Sequence, residues 1–226
     1  TDAEPPLGVR LSSGGNRVVA FSGDGRYLVT AGGLTQVWEI DADLLDLRGT
    51  LLAAVHQEFL RVAVSRTGRW VAAADAAHNV FLWDWRQKAT AMESVTVDAM
   101  PARAEGRGGA VTDLVFDPQE RWLACGAEDR SAHVWDLPAS ATSTPTASTW
   151  ALGHDGAVRG LTTSVDGRWL FSRADDGAIA AWSLPPRNAT ERPVALWRNV
   201  AGAHHRLVRS DLGNVLATVD GDGQAR

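Results

Sequence analysis

Several residue types are nearly missing from this 226-residue chain, and each gap removes a class of explanation. Cys125 is the one cysteine, so no intrachain disulfide can staple the fold, and a reducing, cytoplasmic setting is the expectation. Lys88 is the one lysine, and Gln87 precedes it where a phosphate-binding loop would need a glycine-rich run; an NTP-hydrolysing site of that type is excluded. No apolar run reaches the ~18 residues of a transmembrane helix, and no membrane partner is expected. The N-terminal TDAEPPLG has neither the basic start nor the apolar stretch of a signal peptide. A net charge of −5 gives no long-range pull on a phosphate backbone, so no nucleic-acid partner is expected either. HExxH-like runs and paired catalytic carboxylates are missing, and no cofactor, metal or catalytic residue is expected.

What is present is a globular balance, 45% hydrophobic and 22% charged, enough to bury a large core. The basic residues other than Lys88 are all arginine and alanine is abundant, as a GC-rich genome tends to produce; that bears on a bacterial origin and not on function. The chain also has 10 tryptophans, and their spacing organises everything else. A turn motif recurs as SGDGRYLV from Ser22, SRTGRWVA from Ser65, DPQERWLA from Asp117 and SVDGRWLF from Ser164, with a weaker SDLGNVLA from Ser210. The intervals are 43, 52, 47 and 46 residues, and Trp38, Trp83, Trp135 and Trp182 follow the first four copies at offsets of 16, 18, 18 and 18. A nearly constant offset inside a variable interval is what a folded unit gives when only the loops between units vary.

Each unit holds short alternating runs punctuated by Gly, Asp and Pro, which read as strands. One run precedes the turn, one follows it and one ends in the Trp. A fourth is visible as GTLLAAV (49–55), SVTVD (94–98), STWAL (148–152) and PVALW (193–197). The leucine-rich stretch 41–59 has a helical look, but it falls where a loop and a fourth strand are due, and strand is the expectation. Four short strands per repeat of about 45 residues predict an all-β propeller of four-stranded antiparallel blades. The repeats run 12–55, 56–99, 107–152, 153–198 and an incomplete 202–226, one propeller region in all.

These units resemble WD40 repeats. Trp83-Asp84 and Trp135-Asp136 are the dipeptide, Trp38-Glu39 and Trp182-Ser183 are drifted forms, and Gly153-His154 stands where such repeats carry Gly-His. The first three repeats lack the Gly-His pair, with Arg107 at the His position of the third. The resemblance implies a structural hydrogen-bond tetrad of His154, Ser172, Asp176 and Trp182, not a hydrolase triad. It also implies protein or peptide partners. The third repeat keeps Asp129 and Trp135 but has Cys125 at the Ser position, the fifth keeps Thr218 and Asp222, and the second has Ala73 and Ala77, so the Trp83 N–H needs another partner. DGDG (220–223) reads as a turn, since a calcium loop needs more oxygens and a closing Glu. His204-His205 would point to opposite faces of a strand and cannot easily share an ion.

About five blades are present. One expectation is a compact five-bladed ring. The favoured one is an arc of a larger, seven-bladed ring whose remaining blades come from another segment or chain, because a blade missing its third strand leaves unpaired backbone groups. The expected function is a non-catalytic binding scaffold; the rival is the regulatory propeller of a larger kinase, protease or NTPase. Arg26, Arg69, Arg121 and Arg168 occupy first turns, and Glu128, Asp129, Asp175, Asp176, Asp220 and Asp222 occupy second turns. In antiparallel blades those turns lie on opposite faces. Glu128, Asp129, Asp175, Asp220 and Asp222 are therefore the candidate contacts for a basic partner segment.

Overall fold

The computed structural model describes residues 18–41, 48–84, 98–100, 109–137, 150–184, 195–200, 204–209 and 216–220. All described elements are strands, and they pair in chain order. β1 (Val18–Phe21), β2 (Tyr27–Ala31), β3 (Thr35–Asp41) and β4 (Arg48–Val55) form the first antiparallel sheet. β5 (Arg61–Val64), β6 (Trp70–Ala74), β7 (Val80–Asp84) and β8 (Asp98–Met100) form the second. β9 (Val111–Phe116), β10 (Trp122–Ala127), β11 (Ser131–Asp136) and β12 (Trp150–Gly153) form the third, and β13 (Val158–Thr163), β14 (Trp169–Ala174), β15 (Ala178–Ser183) and β16 (Ala195–Val200) the fourth. β17 (His204–Arg209) and β18 (Leu216–Asp220) pair as a two-stranded fifth. The leucine-rich 41–59 stretch thus carries β4, a strand. The fourth strand of the second blade begins at Asp98, where the run 94–98 ends.

The recurring turn motif has a local cause. Ser22, Ser65 and Ser164 each accept the backbone N–H of the aromatic five residues on, at 3.0 Å. Asp117 replaces Ser in the third blade and accepts the Arg121 N–H instead. The turn needs one left-handed residue, supplied by Gly25, Gly68 and Gly167 and by Glu120 at φ 58°. At Gly68 a Cβ would also stand 2.1 Å from the Tyr27 ring of the preceding blade.

The first strands β1, β5, β9, β13 and β17 pack in series, each beside the next, so the blades follow one another around an arc. Strand alternation sends one face of each blade to the preceding sheet and the other to the following one. Three cores result. Tyr27, Val29, Ala31 and Val37 of the first blade meet Val62, Val71, Phe81 and Trp83 of the second. Trp70, Ala72 and Leu82 of the second meet Leu114, Phe116, Leu123 and Trp135 of the third. Trp122, Ala124 and Val134 of the third meet Leu161, Leu170 and Trp182 of the fourth. In each interface the third-strand Trp points to the preceding blade, against small residues.

Candidate functional site

The four residues expected to form a tetrad come together in the fourth blade. Ser172 lies mid-strand in β14, fully buried, and Trp182 lies opposite Leu170 in β15. The Trp182 Nε1–H donates to Ser172 Oγ at 2.7 Å. Ser172 Oγ also lies 2.6 Å from His154 Nε2. The indole and the imidazole thus share one buried hydroxyl oxygen, which accepts from Trp182 and makes its second hydrogen bond with Nε2. Nδ1 faces Asp176 Oδ2 at 3.8 Å, and Asp176 accepts the Asp155 N–H at 2.9 Å and the Ala178 N–H at 2.8 Å. The network ties the loop entering the blade to its second turn. Gly156 permits the close approach, as a Cβ there would stand 2.4 Å from the Asp176 nitrogen. A serine with no exposed surface and both its hydrogen bonds committed has no route to a substrate carbonyl.

The other blades vary this device. In the first, Thr30 takes the serine's place, with Trp38 Nε1 3.4 Å from its Oγ1. Thr30 stands eight residues after Ser22, as Ser172 does after Ser164, and the two residues missing from the first repeat lie between it and Trp38. In the third blade the Asp129 carboxylate meets His133 of β11, at 2.8 Å from Nε2. Trp83 and Trp135 Nε1 are buried without an acceptor among the described residues, beside Ala73 and Cys125 at the serine position. Burial pushes the Cys125 thiol well above its ordinary range, and the nearby Asp129 and Asp113 charges push the same way.

The two ends of the blades differ in the way charge is used. At the first-turn end stand the four arginines. Arg69 pairs with Asp84 at 2.7 Å and lies 4.6 Å over the Trp70 ring. Arg121 binds Asp117 at 2.6 Å and reaches the Gly167 carbonyl of the next blade at 2.8 Å. Arg26 and Arg168 are more exposed, with Glu39 at 3.7 Å and Asp166 at 3.8 Å. The turns are also bonded in series: Asp24 N–H to the Arg66 carbonyl, Thr67 to Glu120, and Gln119 to the Val165 carbonyl. Inside this row lies a concavity of about 820 Å³, lined among others by Phe21, Val64, Val115, Val165, Arg66 and Gln119.

At the second-turn end, two of the acids expected to await a basic partner, Glu128 and Asp175, already share a cation. Arg159 of β13 binds Glu128 of the third blade at 2.8 Å and Asp175 of the fourth at 2.7 Å. Its pKa is raised chiefly by the hydrogen bonds to Asp175 and Glu128, and Asp175 is held below the usual carboxylate range by Arg159. Asp129 is engaged by His133 and by the Ser131 N–H. Asp220 closes β18, and its side chain, like Asp222 and Thr218, lies outside the described residues, as do the side chains of His204 and His205 and the whole of Arg107. The sequence reading missed Arg159 because it sits on a first strand, outside both turns. It also missed Asp113 of β9. That carboxylate accepts the Leu161 N–H at 2.8 Å and the Leu114 N–H at 2.9 Å; burial raises its pKa, and those two amides, with the Arg61 and Arg173 charges, offset part of the rise. Among the described residues no group of three or more His, Cys, Asp or Glu could hold a metal ion, and no helix is long and apolar enough to cross a membrane.

Comparison with known proteins bears on this geometry. Residues 103–136 and 146–183 match the family described as WD domain, G-beta repeat. Among solved structures, the β-propeller domain of Cps50 (Swd1) from Myceliophteria thermophila superposes with a TM-score of 0.68 at 18% identity. The match covers 90% of this chain but only 65% of that one, so the chain spans less than two thirds of that propeller's length. No curated protein sequence matches.

Proposed function

This chain is a WD-repeat β-propeller, a fold that typically serves as a protein-interaction scaffold, and from that premise we propose that it is itself a non-catalytic protein-binding platform whose partner docks at the first-turn end. One observation carries the choice of surface: the first turns are hydrogen-bonded from blade to blade around a concavity lined by both apolar and polar side chains. A preorganised rim loses little conformational freedom on binding. Exposed apolar side chains at such a rim, Phe21 at 60% and Val165 at 46% exposure, supply the surface to bury. Arg66 lines the same concavity. Its guanidinium has no ion-pair partner among the described residues, so a segment with an apolar anchor beside a carboxylate fits best.

A second reading keeps the basic partner at the opposite end. It is favoured by the exposure of Glu128 and Asp175, at 45% and 49% of their side chains, although a partner cation must then displace Arg159. The two readings separate in one experiment. A partner recovered with the complete protein from its own cells is purified, and its Kd is measured against Val165→Asp and against Glu128→Lys/Asp175→Lys. A tenfold or larger loss with Val165→Asp alone supports the first surface, and the same loss with the double charge reversal alone supports the second. An unchanged Kd in both removes both surfaces.

A further inference from the structure

One first turn departs from the other three. The left-handed place, three residues after the opening Ser or Asp, is filled by Gly25, Gly68 and Gly167, but in the third blade by Glu120 at φ 58°. The turn itself is unchanged, since each of the four amides donates to the carbonyl of the opening residue at 2.8–3.0 Å. Glycine would serve here too, without the steric conflict that a Cβ brings to this region. What glutamate adds is a carboxylate. Its Oε1 crosses to the second blade and accepts both the Thr67 N–H at 2.7 Å and the Thr67 Oγ–H at 2.8 Å. The neighbouring joints of the rim need no such residue. The first and second blades are joined there by the Asp24 N–H on the Arg66 carbonyl, the third and fourth by Gln119 and Arg121. An unfavourable backbone that persists where glycine would fit points to a use for the side chain.

The surroundings of that carboxylate indicate the use. Thr67 is exposed and Glu120 partly so. Arg66, next to Thr67, lines the concavity; its stem lies over Gly23, where a Cβ would stand 3.0 Å from its Cγ. We infer that the Thr67 N–H and Oγ–H, with the Arg66 guanidinium, form a carboxylate subsite of the docking surface, and that Glu120 fills it as a built-in competitor which an Asp or Glu side chain of the partner displaces. The inference rests on the first-turn end being that surface, and deepens the reading. The partner's apolar anchor enters the concavity, while its carboxylate takes the Thr67 donors with one oxygen and Arg66 with the other. Glu120 satisfies only the Thr67 donors and makes no ion pair with Arg66. The displacing acid therefore gains a charge-assisted bond that the resident one lacks. Until displaced, the competitor lowers the apparent affinity in proportion to the time it occupies the subsite.

Heteronuclear NMR titration of the full chain with N-acetyl-Phe-Glu-amide, and with N-acetyl-Phe-Gln-amide as the uncharged control, tests it. Glu120→Gly removes the competitor and suits the left-handed backbone. Its Kd for the Phe-Glu probe should be at least fivefold lower than that of the native chain, with no change for the Phe-Gln probe. Glu120→Gln, which keeps the shape of the side chain, should give part of that gain. Adding Thr67→Val or Arg66→Gln to Glu120→Gly should cancel it. Equal Kd for the Phe-Glu probe in the native chain and in Glu120→Gly overturns the inference, and leaves Glu120 a strut between two blades. An equal gain for both probes overturns it as well, because the substitution then only opens the concavity, and so does binding of neither probe. The platform reading is judged apart from this, by Val165→Asp against the purified partner. A loss there without a gain from Glu120→Gly overturns this inference alone. A gain from Glu120→Gly with an unchanged partner Kd removes the platform surface while the carboxylate subsite stands.

Discussion

Replacing Ser172 by alanine isolates the histidine network, and the structure sets the expected size. The side chain is fully buried, and its one oxygen serves two buried groups, the Trp182 indole N–H at 2.7 Å and His154 Nε2 at 2.6 Å. Alanine leaves the indole N–H and Nε2 without this partner. A buried group so stranded costs roughly 1–3 kcal/mol, so the pair sets an expected loss of about 2–6 kcal/mol. The second and third blades, which carry an unpartnered Trp83 and Trp135 Nε1, argue for the lower half of that range. The donor share is separable. With Trp182→Phe in the background there is no N–H to strand, and Ser172→Ala should then cost about 1–2 kcal/mol less. Urea unfolding of the four proteins at pH 7, followed by far-ultraviolet circular dichroism, gives the coupling energy. A coupling smaller than about 0.5 kcal/mol would mean that the indole and the serine are energetically independent and that the network reading is wrong. Covalent labelling of Ser172 by a serine-reactive phosphonate would refute it from the other side, by showing a reachable nucleophile.

Three further outcomes are expected. Trp135→Ala empties a fully buried site between the second and third blades and should destabilise by about 3–5 kcal/mol in the same assay, with Trp38→Ala losing clearly less because the first-blade Trp is only partly buried. Cys125 should resist a thiol reagent at pH 7 until denaturant unfolds the chain, and rapid reaction of the native protein would contradict its burial. The pairing of Asp175 with Arg159 lowers the acid's folded pKa, so its contribution to stability is present above the unfolded value and is lost as pH falls through the folded one; Arg159→Gln should shrink that acid-side loss in unfolding titrations at low salt.

The turn motif and the Trp offsets carried the order and antiparallel pairing of the strands within each unit, because those features depend on residues close in sequence, whereas the tetrad was implied by the resemblance to WD40 repeats. A Ser that accepts the amide five residues on, and a left-handed residue between them, have to recur at fixed spacing wherever that hairpin recurs. Counting back from the Trp is less constant: Thr30 serves Trp38 from eight residues away, not ten, although it keeps the serine's place counted from the turn.

The sequence by itself determined an all-β repeat of propeller type and the opposite placement of the arginine and acidic turns, and the resemblance to WD40 repeats supplied the reading of Ser172 as a structural group. Only the tertiary structure decided whether those charges are available. Arg159 closes on Glu128 from one blade and Asp175 from another, and Arg121 of the third blade reaches the Gly167 carbonyl of the fourth. Such contacts are set by the angle between adjacent sheets, which no spacing along the chain encodes. The same holds for Val19 of β1, which is 60% exposed where Val62 of β5 is 9% exposed. Val19 looks in sequence like Val62, and it differs because burial belongs to a pair of sheets and not to the strand that carries the residue.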